Sequence, residues 1–352
     1  MRGGTSKGLY MLKDDVPADE AERDKLLVRA MGSPDPRQID GLGGAQSLTS
    51  KAAIVSSSDL TQADVDYLFG QIVIGEDRVS YTQNCGNILA GIGQFAVERG
   101  LVKVDPGANQ ASVRIHMVNS KSLVTSSFPM KDGAPDYEGD AEIAGVPGTA
   151  APVRLDFLDI AGSQCASLLP TGNVIDEIDN IAVSIIDYGM PVVIMKASDF
   201  DIAGTEAPDE LDANEALKTK VEAIRLKAGE LMGLGDVTQA TVPKMFLVSP
   251  PTAGGAINTR CFIPHTCHAA VGVFAAISVA AVCMLEGSVT QGIAKIPEGS
   301  DLKLDIEHPS GSFPAYLKLD LTANTPEKML ISGGVIRTAR KLFDGTFYVP
   351  DV

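Results

Sequence analysis

The sequence predicts an α+β protein built from two pseudo-symmetric modules, each a β-barrel-like sheet wrapped around a central α-helix. Three observations predict it. Short apolar runs bounded by turns recur along a chain of 352 residues with 35 Gly and 20 Pro, which reads as β-rich with close backbone approaches. Two runs, Asn87 to Glu98 and Ala269 to Leu285, are mostly apolar and rich in small residues, and a helix without a polar face is buried on all sides. Each is entered from a strand through a cysteine-bearing turn, Gln83-Asn84-Cys85-Gly86 in the first half and His265-Thr266-Cys267-His268 in the second. That repetition reads as a duplication.

In chain order, Ala18 to Met31 is helical, with Asp19 and Glu20 early and Leu26, Leu27, Val28, Ala30 and Met31 as its contacts. Residues 32–51 carry too much Gly, Ser, Asp and Pro for a regular element and form a loop. Ala52 to Val55 reads as a strand, Gln62 to Phe69 as a helix, and Gln71 to Ile74 and Val79 to Thr82 as strands. Further strands are expected at Ala111 to Val118, Ser122 to Phe128 and Val153 to Leu158, then at Ile181 to Ile186, Val192 to Met195, Met245 to Val248, Thr259 to Ile263 and Leu302 to Leu304. Glu210 to Met232 bears charges at surface spacing and one apolar stripe, so it is an outer helix reached through a surface loop at Gly204 to Asp209. The expected modules are 1–170, completed by 330–352, and 171–329.

Composition narrows the function classes. The length suits two domains. A formal net charge of −16 argues against unassisted binding to nucleic acid or to an anionic membrane, since both need positive surface. Ala269 to Leu285 is at the lower limit for a membrane span, and its Ala and Gly content suits a protein core instead. The five cysteines, Cys85, Cys165, Cys261, Cys267 and Cys283, are odd in number and lie in apolar segments, unlike a disulfide framework, so the cytoplasm is the expected compartment. The N-terminal Met-Arg-Gly-Gly-Thr-Ser-Lys-Gly lacks the apolar stretch of an export signal.

Among residues that could carry chemistry, Cys85 stands at the start of an apolar helix. Unpaired N–H groups and the positive dipole end there favour a thiolate, and Gly86 lets a ligand approach the backbone. A buried structural thiol is the competing reading. Lys51 follows a Gly-rich, hydroxyl-rich loop that ends in Ser50; in a cleft its amine would lose hydration and suit proton transfer, and at a strand edge it would be an ordinary solvated charge. Arg2-Gly3-Gly4-Thr5-Ser6-Lys7-Gly8 and Gly333-Gly334-Val335-Ile336-Arg337-Thr338-Ala339-Arg340 pair glycines with arginines. Both suit a polyanion, although the first is also an ordinary turn and lacks Walker A order. His265, Cys267 and His268 are spaced wrongly for a closed zinc site, and Thr266, Cys267 and His268 read as a cap on the second central helix. The glycines do not form a dinucleotide fingerprint, and no G-x-S-x-G elbow occurs.

The segments MRGGTSKG (1–8), MGSPDPRQIDGLGGAQSLTSK (31–51), ADVDYLF (63–69) and QNCGN (83–87), together with PHTCHAA and RTAR near the C-terminus, resemble the PrpF family, and within it the 4-oxalomesaconate isomerases and tautomerases of aromatic-acid catabolism. The resemblance implies a diaminopimelate epimerase-like fold with the site in an interdomain cleft. It also implies cytoplasmic, cofactor-independent and metal-free isomerisation on protocatechuate, gallate and lignin-derived routes, and a homodimer. Relatives have a strand ahead of the Arg-Gly-Gly motif, so a preceding segment is expected. The expected reaction is a 1,3-allylic proton shift in a small polycarboxylate, with Cys85 removing the proton and Lys51 delivering one. Arg2, Ser6, Ser50, Asn84, Gly86, Asn87, Thr266, Cys267, His268 and Arg337 are the expected substrate-binding residues. A methylaconitate-type substrate, a racemase pairing Cys85 with Cys267, and a non-catalytic carboxylate-binding protein are the alternatives.

Overall fold

The computed structural model describes residues 1–82 and 84–349; Gln83 of the first cysteine turn and the last three residues of the 330–352 segment lie outside them. The chain divides into one unit of Met1–Leu158 with Ile336–Val352 and a second of Asp159–Val335.

The first unit contains β1 (Arg2–Gly3), β2 (Ser6–Leu12), α1 (Glu20–Met31), β3 (Lys51–Ser57), β4 (Val65–Ile72), β5 (Val79–Ser80), α2 (Gly86–Leu89), α3 (Ile92–Glu98), β6 (Gln110–Met117), β7 (Ser122–Lys131), β8 (Ala134–Pro135) and β9 (Pro152–Leu158). The second contains β10 (Asp176–Ile178), β11 (Ile181–Asp187), β12 (Pro191–Lys196), α4 (Pro208–Ala213), α5 (Glu215–Leu231), β13 (Lys244–Ser249), β14 (Ile257–Phe262), β15 (Cys267–His268), α6 (Val273–Cys283), β16 (Asp301–His308), β17 (Gly311–Leu319), α7 (Pro326–Met329) and the start of β18 (Leu330–Arg340).

The duplication is visible in the pairing. In the first unit β2 runs parallel to β3, β3 antiparallel to β4, β4 parallel to β6, and β6 and β7 antiparallel to β7 and β9. In the second, β12 is parallel to β13, β13 antiparallel to β14, β14 parallel to β16, and β16 and β17 antiparallel to β17 and β18. Short β5 and β15 lie at the same place in the repeat, antiparallel to β4 and β14. This repeated order is the α+β arrangement expected of a diaminopimelate epimerase-like fold.

Side chains on a strand alternate between faces, so each sheet has an inner and an outer layer. On the outer face of the first unit, Leu9, Met11, Ala52, Ile54 and Ile72 pack with Leu27, Val28 and Met31 of α1. Asp19 caps α1 by accepting from the Glu22 amide at 3.0 Å, and Gly32 ends it in the left-handed region at φ 81°. On the outer face of the second, Val193, Met195, Met245, Leu247 and Phe262 pack with Val221, Ile224 and Ala228 of α5. The inner helix α6 is buried from Ala275 through Cys283 and touches β11, β12, β16 and β17, so the apolar run at 269–285 supplies a core helix, which begins only at Val273, after exposed Ala269 and Ala270. Among the described residues no helix is long and apolar enough to cross a membrane.

Several expectations are corrected. Residues 62–69 do not form a helix: Val65, Tyr67 and Phe69 are buried and alternate with less buried Asp66 and Leu68, a period of two that makes β4. The helix expected at 87–98 is two pieces, because the Tyr10 hydroxyl donates to the Ile88 carbonyl at 2.6 Å and Gly91 turns back to that carbonyl at 3.1 Å, taking the acceptor an unbroken helix would offer Ile92. The outer helix is interrupted at Asn214, whose side chain caps α5 by accepting from Leu217 at 3.0 Å. The turn read in Arg2 to Gly8 is the tip at Gly4 and Thr5 of a strand pair, and Arg337 to Arg340 lie within β18.

Candidate active site

The face of the first sheet opposite α1 carries Ser6, Gly8 and Tyr10 from β2, Lys51 from β3, and Tyr67, Phe69 and Gln71 from β4, by strict alternation with the outer residues. Lys51 pairs with Gly8 on one side and Gln71 on the other. Gly8 is obligatory, since a Cβ there would clash with the Lys51 carbonyl. Only 8% exposed, Lys51 donates from Nζ to Gln71 Oε1 at 2.5 Å and lies 5.2 Å from the centre of the Phe69 ring, a cation–π contact. The Gln71 amide is held in turn, because its Nε2 donates to the carbonyls of Ser50, Ser47 and Ile72 at 2.9, 3.1 and 3.2 Å. The Ser50 hydroxyl is committed to Gln38 Oε1 and the Gln46 carbonyl, at 2.8 and 2.9 Å. Ser50 thus fastens the loop that ends in Lys51.

Cys85 is the N-cap residue of α2, half-buried, and its carbonyl accepts from Leu89 at 2.9 Å and from the Tyr67 hydroxyl at 3.4 Å. Gly86 is followed by open space where a side chain would be, which leaves the backbone beside the thiol accessible; Asn84 is exposed. The N-terminal hairpin clasps this turn from one side. Asn87 Nδ2 donates to Thr5 Oγ1 at 2.9 Å, and side chains at Gly3 and Gly4 would overlap the Asn87 carbonyl and side-chain amide. Burial first, then the neighbouring Cys85 sulfur, pushes the Tyr10 and Tyr67 phenols well above their ordinary range, so both hydroxyls stay protonated donors. Tyr67, Phe69 and Gln71 therefore form one stripe whose first member touches Cys85 and whose other two touch Lys51.

The anion-binding candidates of this unit are partly spoken for. Arg2 donates from Nη1 to the Gly4 carbonyl and to the carbonyl and hydroxyl of Thr338, at 2.9, 3.1 and 2.9 Å, which fixes one end of its guanidinium across β1 and β18. Burial and then Arg340 lower its affinity for the proton, and burial does the same to Arg337, which donates to the Ile336 carbonyl at 2.9 Å. Ser6 is 1% exposed, and its hydroxyl has no hydrogen-bond partner among the described residues.

The second cysteine turn is built differently. Cys267 does not cap α6; it lies in β15, paired with Phe262, and the N-cap is Gly272. Its side chain packs in the outer core with Phe262 and Val221, and its N–H donates to Asp212 Oδ1 at 2.7 Å. Burial and then Asp212 push the thiol up to about 11. Thr266 and His268 are exposed. The true counterparts of the first unit's pair are Lys244, which opens β13 as Lys51 opens β3, and Gly272, which caps α6 as Cys85 caps α2. A Cβ at Gly272 would stand 3.6 Å from Lys244 Nζ. The second unit thus has the amine but a glycine in place of the thiol. Among the described residues no group of three or more His, Cys, Asp or Glu side chains could hold a metal ion.

Sequence reasoning missed Gln71, Tyr10 and Tyr67. The available signal was the alternation of Tyr67 and Phe69, in a segment read as helical, with Gln71, which opens the strand read at Gln71 to Ile74.

Comparison with known proteins agrees with this architecture. The chain is 54% identical over 346 residues to the 4-oxalomesaconate tautomerase of Pseudomonas putida, covering 98% of this chain and 93% of that protein. It is 52% identical over 349 residues to the (4E)-oxalomesaconate Delta-isomerase of Novosphingobium sp. (strain KA1), covering 99% and 96%. The crystal structure of a methylitaconate-delta-isomerase superimposes with a TM-score of 0.88 at 34% identity, over 99% of this chain and 94% of that one. A profile of the PrpF protein family matches residues 1–350, and the chain belongs to that family.

Proposed function

We propose that the protein is a cofactor-independent isomerase that moves a double bond in 4-oxalomesaconate by a 1,3-allylic proton shift. The observation that carries the reading is the β4 stripe, which on one side holds a lysine shielded from water and on the other touches the backbone of Cys85, the N-cap residue of α2. Acidic carbon-bound hydrogen next to a conjugated carbonyl needs a base to take it, positive charge to stabilise the dienolate, and an acid to return a proton two carbons away. The Cys85 thiolate removes the proton, the dienolate forms beside the Lys51 ammonium, and Lys51 delivers its proton to the far carbon. The cycle leaves a thiol and an amine, which solvent restores. Arg2, Arg337 and the backbone near Asn84 to Asn87 supply positive potential for the carboxylates. An acidic protein needs such local donors, because its long-range field repels a polyanion.

The relatives named for 4-oxalomesaconate support the choice of substrate, and the free cysteines suit a reducing compartment. A homodimer in the cytoplasm, acting in catabolism of protocatechuate and gallate, belongs to the same proposal. A methylated polycarboxylate of the methylaconitate type is the second reading, favoured by the likeness to methylitaconate-delta-isomerase, whose named substrate is also a methylated polycarboxylate. A two-thiol racemase finds no support in the inward chemistry of the second unit, where Gly272 occupies the capping position.

A time course of purified protein with 4-oxalomesaconate, followed by ¹H NMR, tests the reading. Conversion to the double-bond isomer is expected, faster than for a methylaconitate. Preferential turnover of the methylated acid would move the assignment to that substrate, and saturable binding without conversion would make the chain a carboxylate-binding protein.

A further inference from the structure

We infer that Gln71 is a positioning residue that sets the direction in which Lys51 presents its exchangeable proton or its lone pair. The inference rests on the proposed role of Lys51. Gln71 stands directly across the β3–β4 ladder from Lys51, and its Oε1 accepts from Nζ at 2.5 Å. An amide could turn over and present its NH₂ group instead. Here it cannot without breaking three contacts, because Nε2 faces the carbonyls of Ser47, Ser50 and Ile72.

A side-chain amide oxygen only accepts. Lys51 therefore always directs one N–H at Gln71, whether it is an ammonium or an amine. The neutral lone pair, or the proton that replaces it, is left to the remaining directions. Phe69 constrains these further, since its ring lies 5.2 Å from Nζ and accepts positive charge but takes no proton. The acceptor is also uncharged. A carboxylate at this position would favour the ammonium strongly, as opposite charges within hydrogen-bond distance do, and would hold the lysine in one state through the cycle. Gln71 accepts an N–H from either state, more strongly from the ammonium, and adds no opposite charge that would hold the lysine there.

The test uses Gln71→Glu and Gln71→Met in the full chain, with two readouts. One is the pH dependence of isomerisation. The other needs no substrate: the pH at which cyanate carbamylates Lys51 at half its maximal rate, read by peptide mass spectrometry. Gln71→Glu is expected to move both midpoints upward by about one unit or more. Gln71→Met is expected to lower kcat by about 10- to 100-fold, with KM changed less than about 3-fold, as for a lost orienting contact. A residue that merely tethers the loop would lower the melting temperature and activity without moving either midpoint. An unmoved carbamylation midpoint in Gln71→Glu overturns the inference even if Gln71→Met fails to fold. A shifted midpoint in a protein that does not isomerise 4-oxalomesaconate upholds the Lys51–Gln71 relation and removes the functional reading instead.

Discussion

The Asn87 side-chain amide donates to the Thr5 hydroxyl at 2.9 Å, tying the N-terminal hairpin to the turn that Cys85 caps. The glycines of the Arg-Gly-Gly motif follow from this contact. Gly3 and Gly4 let the hairpin lie on Asn87 with no side chain between them, and Gly4 adopts φ of 52°, a left-handed conformation that costs other L-residues about 1–2 kcal/mol. Gly4→Ala adds both that strain and an overlap with the Asn87 amide. Loss of at least about 2 kcal/mol is expected, read as a fall in melting temperature of about 4 °C or more, together with reduced kcat. An unchanged melting temperature would remove the hairpin as the support of the Cys85 turn.

Tyr10→Phe removes the hydroxyl that holds the Ile88 carbonyl. That carbonyl keeps its bond from Gly91 at 3.1 Å, so the loss should lie near the low end of the range for an unsatisfied buried group, about 1 kcal/mol. Amide hydrogen exchange at Leu89 to Ile92 should accelerate while exchange in β6 and β7 is unchanged. Uniform acceleration would show that the break between α2 and α3 is not set by Tyr10.

Four thiols carry a pH dependence of stability. Burial raises Cys165, Cys261 and Cys283 from 9.0 to about 12 and Cys267 to about 11, with Asp187 adding to the first and Asp212 to the last. The unfolded chain releases these protons more readily than the folded one. Their contribution is therefore complete below pH 9 and is lost as pH rises toward 11 and 12. Melting temperature should fall progressively above pH 9, and Cys283→Ala should flatten that fall. A flat profile between pH 9 and 11 would contradict the burial of these groups.

The two cysteine turns should respond unequally. Cys267 remains a protonated thiol at neutral pH, packed on the α5 side of its sheet, so Cys267→Ser is expected to leave kcat within about 3-fold of the parent protein. Cys85→Ser should lower it by about 100-fold or more, the scale of lost general acid–base catalysis. Equal losses in steady-state assays would restore the two-thiol scheme.

Much of the fold was legible because burial writes a period into the chain. The outer helix α1 shows its cap, its stripe and its glycine stop, and α6 shows that no face of it meets water. What stayed hidden depends on contacts remote in sequence. The break in the first inner helix comes from a tyrosine on β2, and Val65 to Phe69 reads as helical until Ile115 and Met117 of β6 pair with it. The chemistry divides in the same way. Cys85 and Lys51 announce themselves by residue type and local company, whereas Gln71, an ordinary strand glutamine, is meaningful only across the ladder from Lys51. Cys267 misled because its turn resembles the first in composition while its side chain faces the opposite layer.

Solvent isotope exchange resolved by carbon position bears most directly on a thiol and an amine dividing one proton relay. Substrate and product are equilibrated in D₂O with the parent protein, Cys85→Ser and Lys51→Met, and deuterium is located by NMR. The parent should label both the carbon that loses hydrogen and the carbon that gains it; Cys85→Ser should lose label at the first and Lys51→Met at the second. Undiminished labelling at both carbons in both variants would contradict the account.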